Sequence, residues 1–155
     1  MLILSSERSP TFSEASEAAV NELVRLGIRR TDIAQLQVSE LKSGYLGVAQ
    51  GAKVWITLGS AALAGALQRE ERPVIVSALI PRLGFERLLR EHAGKSAAPV
   101  LAVYLDQPFG RQLDLVRLAL PEARKVGALW GPESIAQQAG LLSAAQARGM
   151  PVVAG

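Results

Sequence analysis

Lys53-Val54-Trp55-Ile56-Thr57-Leu58-Gly59-Ser60-Ala61-Ala62-Leu63-Ala64-Gly65-Ala66-Leu67 decides the fold. The stretch opens as a short apolar run rich in β-branched and aromatic residues, the pattern of a buried strand. It turns at Gly59-Ser60 and continues as an Ala- and Leu-rich run that fits a helix. Apolar residues on both faces of the strand imply a parallel sheet covered by helices. Gly59 permits the tight turn, and Ser60 is placed to cap the helix with its hydroxyl. The free N–H groups of that first turn would open at the carboxyl end of the strand, where α/β sheets receive ligands.

Outward from this unit, strand and helix alternate. Leu2 to Ser6 reads as a first strand, followed by Ser9-Pro10 as a helix start and a stripe of Phe12, Ala15, Ala19, Val20, Leu23 and Val24. Gly27 ends that helix and Ile33 to Val38 is the second strand. Residues 41 to 51, with three glycines, are expected to hold a short helix. Glu70-Glu71-Arg72 closes the helix after the third strand. Val74 to Leu79 and Val100 to Leu105 are the fourth and fifth strands, with a helix opened by Pro81 between them. Asp106-Gln107-Pro108 breaks the chain. A helix with Phe109, Leu113, Val116 and Leu120 on one side follows and stops at Pro121. Lys125 to Trp130 is a sixth strand. Ser134-Ile135-Ala136-Gln137 has the spacing of a capping box, opening a helix to about Arg148. Pro151 to Ala154 is a seventh strand. The order implies parallel pairing with right-handed crossovers.

Composition narrows the chemistry. The 155 residues are 49% hydrophobic and 20% charged, which suits a globular body. There are no cysteines, so disulfides and thiolate metal sites are excluded. The formal charge is +3, but the arginines are spread along helices and no basic run is interleaved with aromatics, so nucleic acid is not the expected partner. No apolar run reaches membrane-spanning length, and Leu2-Ile3-Leu4 is too short for a leader. The chain is therefore read as cytoplasmic or as one whose leader has been removed.

Catalytic signatures are missing. Neither a GxGxxG nor a GxxxxGK[ST] motif occurs, and the one histidine, His92, falls on a helix end. No metal and no cofactor are expected, and no enzyme. What the strand ends do carry is a row of small or polar residues: Ser5 and Ser6, Gly59 and Ser60, Ser77 and Ala78, Asp106 and Gln107, Trp130 and Gly131. Such a row suits recognition of a small polar or anionic molecule by amides and hydroxyls, with Trp130 or Tyr104 as a flat apolar wall.

The segments AKVWITLGSAALAGAL, ERPVIVSALIPR and VLAVYLDQPFGRQLDLVRLALPEARKVGALWGPES, with LALPEARKVGALWGPE the most specific, resemble the type I periplasmic substrate-binding proteins of ABC transporters. The branch is the one that includes tryptophan and tyrosine uptake components. The likeness runs from about Ala52 onward. It implies a parallel, doubly wound, flavodoxin-like α/β lobe over residues 1–107, and over 108–155 the opening βαβ unit of a second lobe. By motif position it implies ligand contacts at Ser60 and Ala61, at Ala78 and Leu79 through Ile80, and at Gly131, Glu133 and Ser134. Helix starts at Ser60 and Ser134 would offer N–H groups to a solute held between two closing lobes and delivered to a membrane permease, in the periplasm. The aspartate-proline usual after the fourth strand in that family is replaced by Leu79-Ile80-Pro81, which leaves fewer polar groups.

The alternative is a cytoplasmic, single-domain flavodoxin-like or receiver-like module acting through protein partners, with all seven strands in one sheet. The sequence halts after a strand with no helix to cover it, which is expected of a fragment or of a protein that self-associates. A homodimer through the uncovered Val152-Val153 edge is the second expectation.

Overall fold

The computed structural model describes residues 1–42, 47, 51–69, 73–92, 98–132 and 134–154. Two compact units divide the chain, Met1–Leu105 and Asp106–Gly155.

The first unit holds five parallel strands: β1 (Leu2–Ser5), β2 (Ala34–Gln37), β3 (Val54–Leu58), β4 (Val74–Ile80) and β5 (Val100–Tyr104), in the order β2-β1-β3-β4-β5. Its helices are α1 (Pro10–Arg25), α2 (Val38–Lys42), α3 (Ser60–Leu67) and α4 (Arg82–Glu91). This is the flavodoxin-like α/β order. The winding direction reverses between β1 and β3, so the connections leaving those two strands part to opposite faces. The two cores record it. Leu2, Leu4, Trp55 and Ile75 pack with Ala62, Leu63, Ala66, Leu67, Phe85 and Leu88 under α3 and α4. Ile3, Val20 and Leu58 pack with Phe12, Ala15, Ala19 and Leu23 under α1. The central strands β1 and β3 thus divide their residues between two apolar faces, as buried strands of a parallel sheet do.

Trp55 is 2% exposed, and its Nε1 donates to the Ala52 carbonyl at 3.0 Å. The α1 stripe buries Val20 but leaves Val24 exposed near the helix end. The same face buries Ser16, whose hydroxyl accepts a hydrogen bond from Gln35 Nε2 at 2.8 Å. Gly27 has a left-handed φ of 93° and closes α1 by donating to the Val24 carbonyl. The short helix expected over 41–51 begins earlier, at Val38, because Glu40 Oε2 accepts the Gln37 N–H and starts the turn where a strand end was expected. Residues 43–46 and 48–50 of that expectation, and Glu70-Glu71-Arg72 as the stop of α3, lie outside the described residues; α3 itself ends at Leu67.

One row across the α3/α4 face is polar. Thr57 and Ser77 are register partners, both fully buried, and neither hydroxyl has a hydrogen-bond partner among the described residues. A buried, unpaired hydroxyl is unfavourable, and valine has the shape of threonine without it. Thr57→Val is therefore expected to raise unfolding stability by about 1 kcal/mol in urea denaturation. A clear loss would show that the hydroxyl is partnered in solution.

The second unit contains α5 (Phe109–Ala119), β6 (Val126–Ala128), α6 (Gln138–Gln146) and β7 (Val152–Ala154), with a 3-10 turn at Ile135–Gln137. β6 and β7 pair in parallel as a sheet of their own, Val126 beside Val152 and Gly127 beside Val153. The alternative with seven strands in one sheet is thereby overturned. Leu113, Leu141, Ala145 and Met150 form the core here, joined by Phe109, Val126, Ala128, Trp130 and Val152. The Nε1 of Trp130 is enclosed and has no acceptor among the described residues. Leu129 and Val153, on the opposite side of the two strands, are 89% and 55% exposed.

Arg148 ties the helices of this unit together. Its Nε and Nη2 donate to the two carboxylate oxygens of Asp114 on α5, at 2.7 and 2.9 Å, and its Nη1 reaches the Ala144 carbonyl on α6. Gly110 leaves room for the guanidinium, since a Cβ there would meet Nη2 at 2.5 Å. The hydrogen bonds from Arg148, helped by its charge and that of Arg117, hold the Asp114 carboxyl below its ordinary range despite the opposing effect of desolvation. A depressed folded-state value means that the stabilisation is present above the carboxylate's unfolded range and is lost as pH falls through the folded one. Asp114→Asn is expected to lower stability slightly at neutral pH and to flatten that part of the acid-unfolding curve by the same small amount. Equal acid slopes in the two proteins would refute the assignment.

Candidate functional site

Parallel strands place their carboxyl ends on one edge, and the winding reversal puts β1 and β3 at its centre. Ser5 is opposite Leu58, and Leu58 is opposite Ala78, so the ends of β1, β3 and β4 lie side by side. Backbone hydrogen bonds continue past the strands. Ser6 N–H donates to the Leu58 carbonyl at 3.0 Å, and Gly59 N–H to the Ala78 carbonyl at 2.8 Å.

The cap of α3 comes from a different residue than the local sequence indicates. Gly59 is the N-cap, at φ 88° and ψ 169°, and Ser60 is the first helical residue, with its side chain exposed. The capping hydroxyl belongs to Ser6, 56 residues away. Its Oγ accepts the Ala62 N–H at 2.9 Å and donates to the Leu58 carbonyl at 2.9 Å. Ser60 loses the role because a left-handed glycine precedes it and turns its hydroxyl outward. The Leu63 N–H goes to the Gly59 carbonyl. That leaves the N–H groups of Ser60 and Ala61 without a partner among the described residues, two donors at the positive end of a helix.

Leu79 forms the other side of this edge. It is the one non-glycine residue with positive φ among the described residues, at 54°, and it lies in the irregularity where the β4–β5 register shifts between Ser77 and Ile80. Bulges and left-handed side-chain-bearing residues of this kind gather at functional edges, because they re-aim the backbone. The start of α4 adjoins: a Cβ on Gly84 would lie 3.8 Å from Ser60 Oγ.

Two side chains extend the edge toward β5. The Arg82 guanidinium carbon is 6.0 Å from the centre of the Tyr104 ring, and Arg82 Nε also donates to Glu86 at 2.8 Å. Tyr104 meets Phe85 edge to face at 5.6 Å between centroids. Tyr104 was expected as a wall; Arg82 was not among the expected contacts. A signal for it exists in the sequence, since a cation in the first turn of a helix opposes the dipole and needs another reason to be there.

Of the expected site residues, the first unit gathers Ser6, Gly59, Ser60, Ala61, Ala78 and Leu79 on one edge. Ser5 stands at the end of β1 but is only 9% exposed, on the α1 side. In the second unit, Asp106 and Gln107 are exposed in the segment before α5. Ser134 does not form its capping box. A 3-10 turn precedes α6, and the Ser134 hydroxyl instead accepts the Gly131 N–H at 2.9 Å and reaches the Gly131 carbonyl, closing the loop after Trp130 on itself. Glu133 lies outside the described residues. An open apolar hollow of about 460 Å³, lined by Ala145, Met150, Pro151 and Val152 among others, sits at the amino end of β7, the opposite end from the carboxyl ends of the β6–β7 pair. Among the described residues no group of three or more His, Cys, Asp or Glu is placed to hold a metal ion, and no helix is long and apolar enough to cross a membrane.

No family model and no curated protein matches the chain. Solved structures do. The ligand-free, open structure of CD0873, a substrate-binding protein with adhesive properties from Clostridium difficile, aligns with a TM-score of 0.67 at 13% identity, over 99% of this chain and 56% of that one. The ABC domain in complex with L-Trp from Streptococcus pneumonia aligns with a TM-score of 0.60 at 17% identity, over 99% and 55%. A conserved domain protein from Vibrio cholerae gives 0.58 at 12% identity, over 99% and 55%. The chain thus shares the α/β fold of these structures and spans just over half of their length.

Proposed function

We propose that this chain supplies the first α/β lobe and the start of the second lobe of a solute-binding component of an ABC-type transport system, of the type I branch that includes tryptophan and tyrosine uptake components. Residues 1–107 would be the first lobe and 108–155 the opening of the second. Its task is capture without chemistry, in the periplasm, with delivery to a membrane permease. The observation that supports this best is the pair of unpartnered N–H groups on Ser60 and Ala61, held at the β1/β3 reversal by the Ser6 cap. Two amide donors at a helix start favour an anionic or carbonyl oxygen. Leu79 and Tyr104 give the same edge an apolar side, so a small carboxylate with an apolar body fits better than a bare anion. His92, the one histidine of the sequence, takes no part: its Nδ1 lies 2.9 Å from the Leu88 carbonyl at the far end of α4, away from the carboxyl edge of the sheet.

Titration of the isotope-labelled chain with L-tryptophan, other amino acids and small carboxylates at millimolar concentration tests the reading. The amide resonances of Ser60, Ala61 and Leu79 are expected to move together and to saturate. If none of these probes moves them, the carboxyl edge is not a solute seat.

A further inference from the structure

Phe12 reaches the β1/β3 edge from the α1 layer. It stands in the first turn of α1 and is half-buried, and a Cβ on Gly59 would meet its Cε1 at 2.8 Å and its Cζ at 3.0 Å. The tip of the ring therefore rests on the residue that leads into the Ser60 and Ala61 N–H groups. Leu79 comes to the same side. Regular alternation would put it on the face of Ser77. However, three steps along β4, from Ser77 to Ile80, answer two along β5, from Ala102 to Tyr104. The extra residue leaves Ala78 and Leu79 both against the α1-side core that Phe12 joins, while Ile80 returns to the α3/α4 core. Phe12, Ala78 and Leu79 are all half-buried, so each keeps surface at the edge. The φ of 54° at Leu79 is one that glycine or asparagine adopts readily and leucine does not. Strain of this kind, kept where a relaxed residue would serve the fold, points to a use for the side chain.

We infer that Phe12 and Leu79 are specificity-determining residues of the seat proposed above, on which this assignment rests. The solute they select is a monocarboxylate with a branched or aromatic hydrocarbon body. The two amide donors take the carboxylate, and Phe12, Ala78 and Leu79 take the body. Such a wall discriminates by the apolar area it removes from water, which a bare anion does not supply. It also rejects competitors. A second carboxylate laid against these three side chains loses its water and gains no hydrogen bond from them. The left-handed turn at Leu79 sets a second hydrocarbon group on the aromatic side of the donors, where in-phase alternation would have sent it to the opposite layer.

The probes are isocaproate, phenylacetate, acetate and glutarate, titrated into the isotope-labelled chain and followed at the Ser60 and Ala61 amides. Isocaproate and phenylacetate should bind at least about tenfold more tightly than acetate or glutarate, as expected when methylene groups enter an apolar site. Leu79→Asn keeps the size of the side chain, suits the left-handed backbone and replaces hydrocarbon with an amide. It should lower the affinity for isocaproate about tenfold and leave that for acetate unchanged, with circular dichroism confirming the fold. Phe12→Leu, which keeps an apolar residue in the α1 core, should weaken phenylacetate about threefold and again spare acetate. If Leu79→Asn does not fold, Phe12→Leu carries the test alone. Affinities that ignore the body of the acid, or variants that keep wild-type selectivity, overturn the wall and leave the amide seat standing. If none of the four acids moves the two amides, the seat itself falls and the wall with it.

Discussion

Gly59→Ala should lose about 3 to 5 kcal/mol of unfolding stability, the sum of a backbone and a packing effect. The backbone at φ 88° and ψ 169° is a conformation that only glycine adopts without strain. An added Cβ would also sit 2.6 Å from Ser6 Oγ and 2.8 Å from the Phe12 ring. Ser6 cannot swing away freely, because its hydroxyl holds both the Leu58 carbonyl and the Ala62 N–H. Phe12 is wedged in the α1 core. Against a typical total of about 5 to 15 kcal/mol, the variant should unfold at far lower urea by circular dichroism, and what remains folded should lack the α3 cap. Gly65→Ala is the control. That glycine is inside α3, and its Cβ would meet only Val38 Cγ1, at 3.9 Å. The same substitution there should stabilise, by up to about 1 kcal/mol. Equal effects at the two positions would remove the turn from its central role.

Trp55→Ala should cost about 3 to 5 kcal/mol, the range for deleting a large aromatic from a packed core. The side chain is 2% exposed and belongs to the cluster that joins β1, β3 and β4 to α3 and α4. Trp55→Phe separates the contributions. It keeps most of the packing but removes the bond to the Ala52 carbonyl, and should cost about 1 to 2 kcal/mol. If phenylalanine is as damaging as alanine, the hydrogen bond to the β3 entrance outweighs the hydrophobic contact.

The sequence carried the fold through its punctuation. Apolar strands ending in Ser, Gly or Ala, each followed by an amphipathic or Ala-rich run, could be placed in order, and the solved structures share that architecture. The Gly59 turn was legible because left-handed backbone has a residue signature. The Ser6 cap was not, because it joins residues far apart in sequence, and Ser60 offered a local answer of the same chemistry. The capping box at Ser134 failed for a related reason. Its spacing was right, but the Gly131 N–H lies within reach of the same hydroxyl and takes it. Leu79 gave no warning at all, since leucine has no preference for positive φ and only the β4–β5 register shift forces it there. Periodicity shows where strands are and not which strands pair, so the separation into two sheets was implied only by the family resemblance, with its lobes over 1–107 and 108–155.

The placement of the two indoles has an optical consequence. Trp55 lies in the first unit and Trp130 in the second, and the chain has no other tryptophan. Replacing either with phenylalanine leaves a fluorophore that reports on one unit alone. Trp55, sealed in hydrocarbon, should emit toward the blue, and Trp130, less deeply enclosed, further to the red. Each half can then be followed through melting, titration or mixing without attaching a dye.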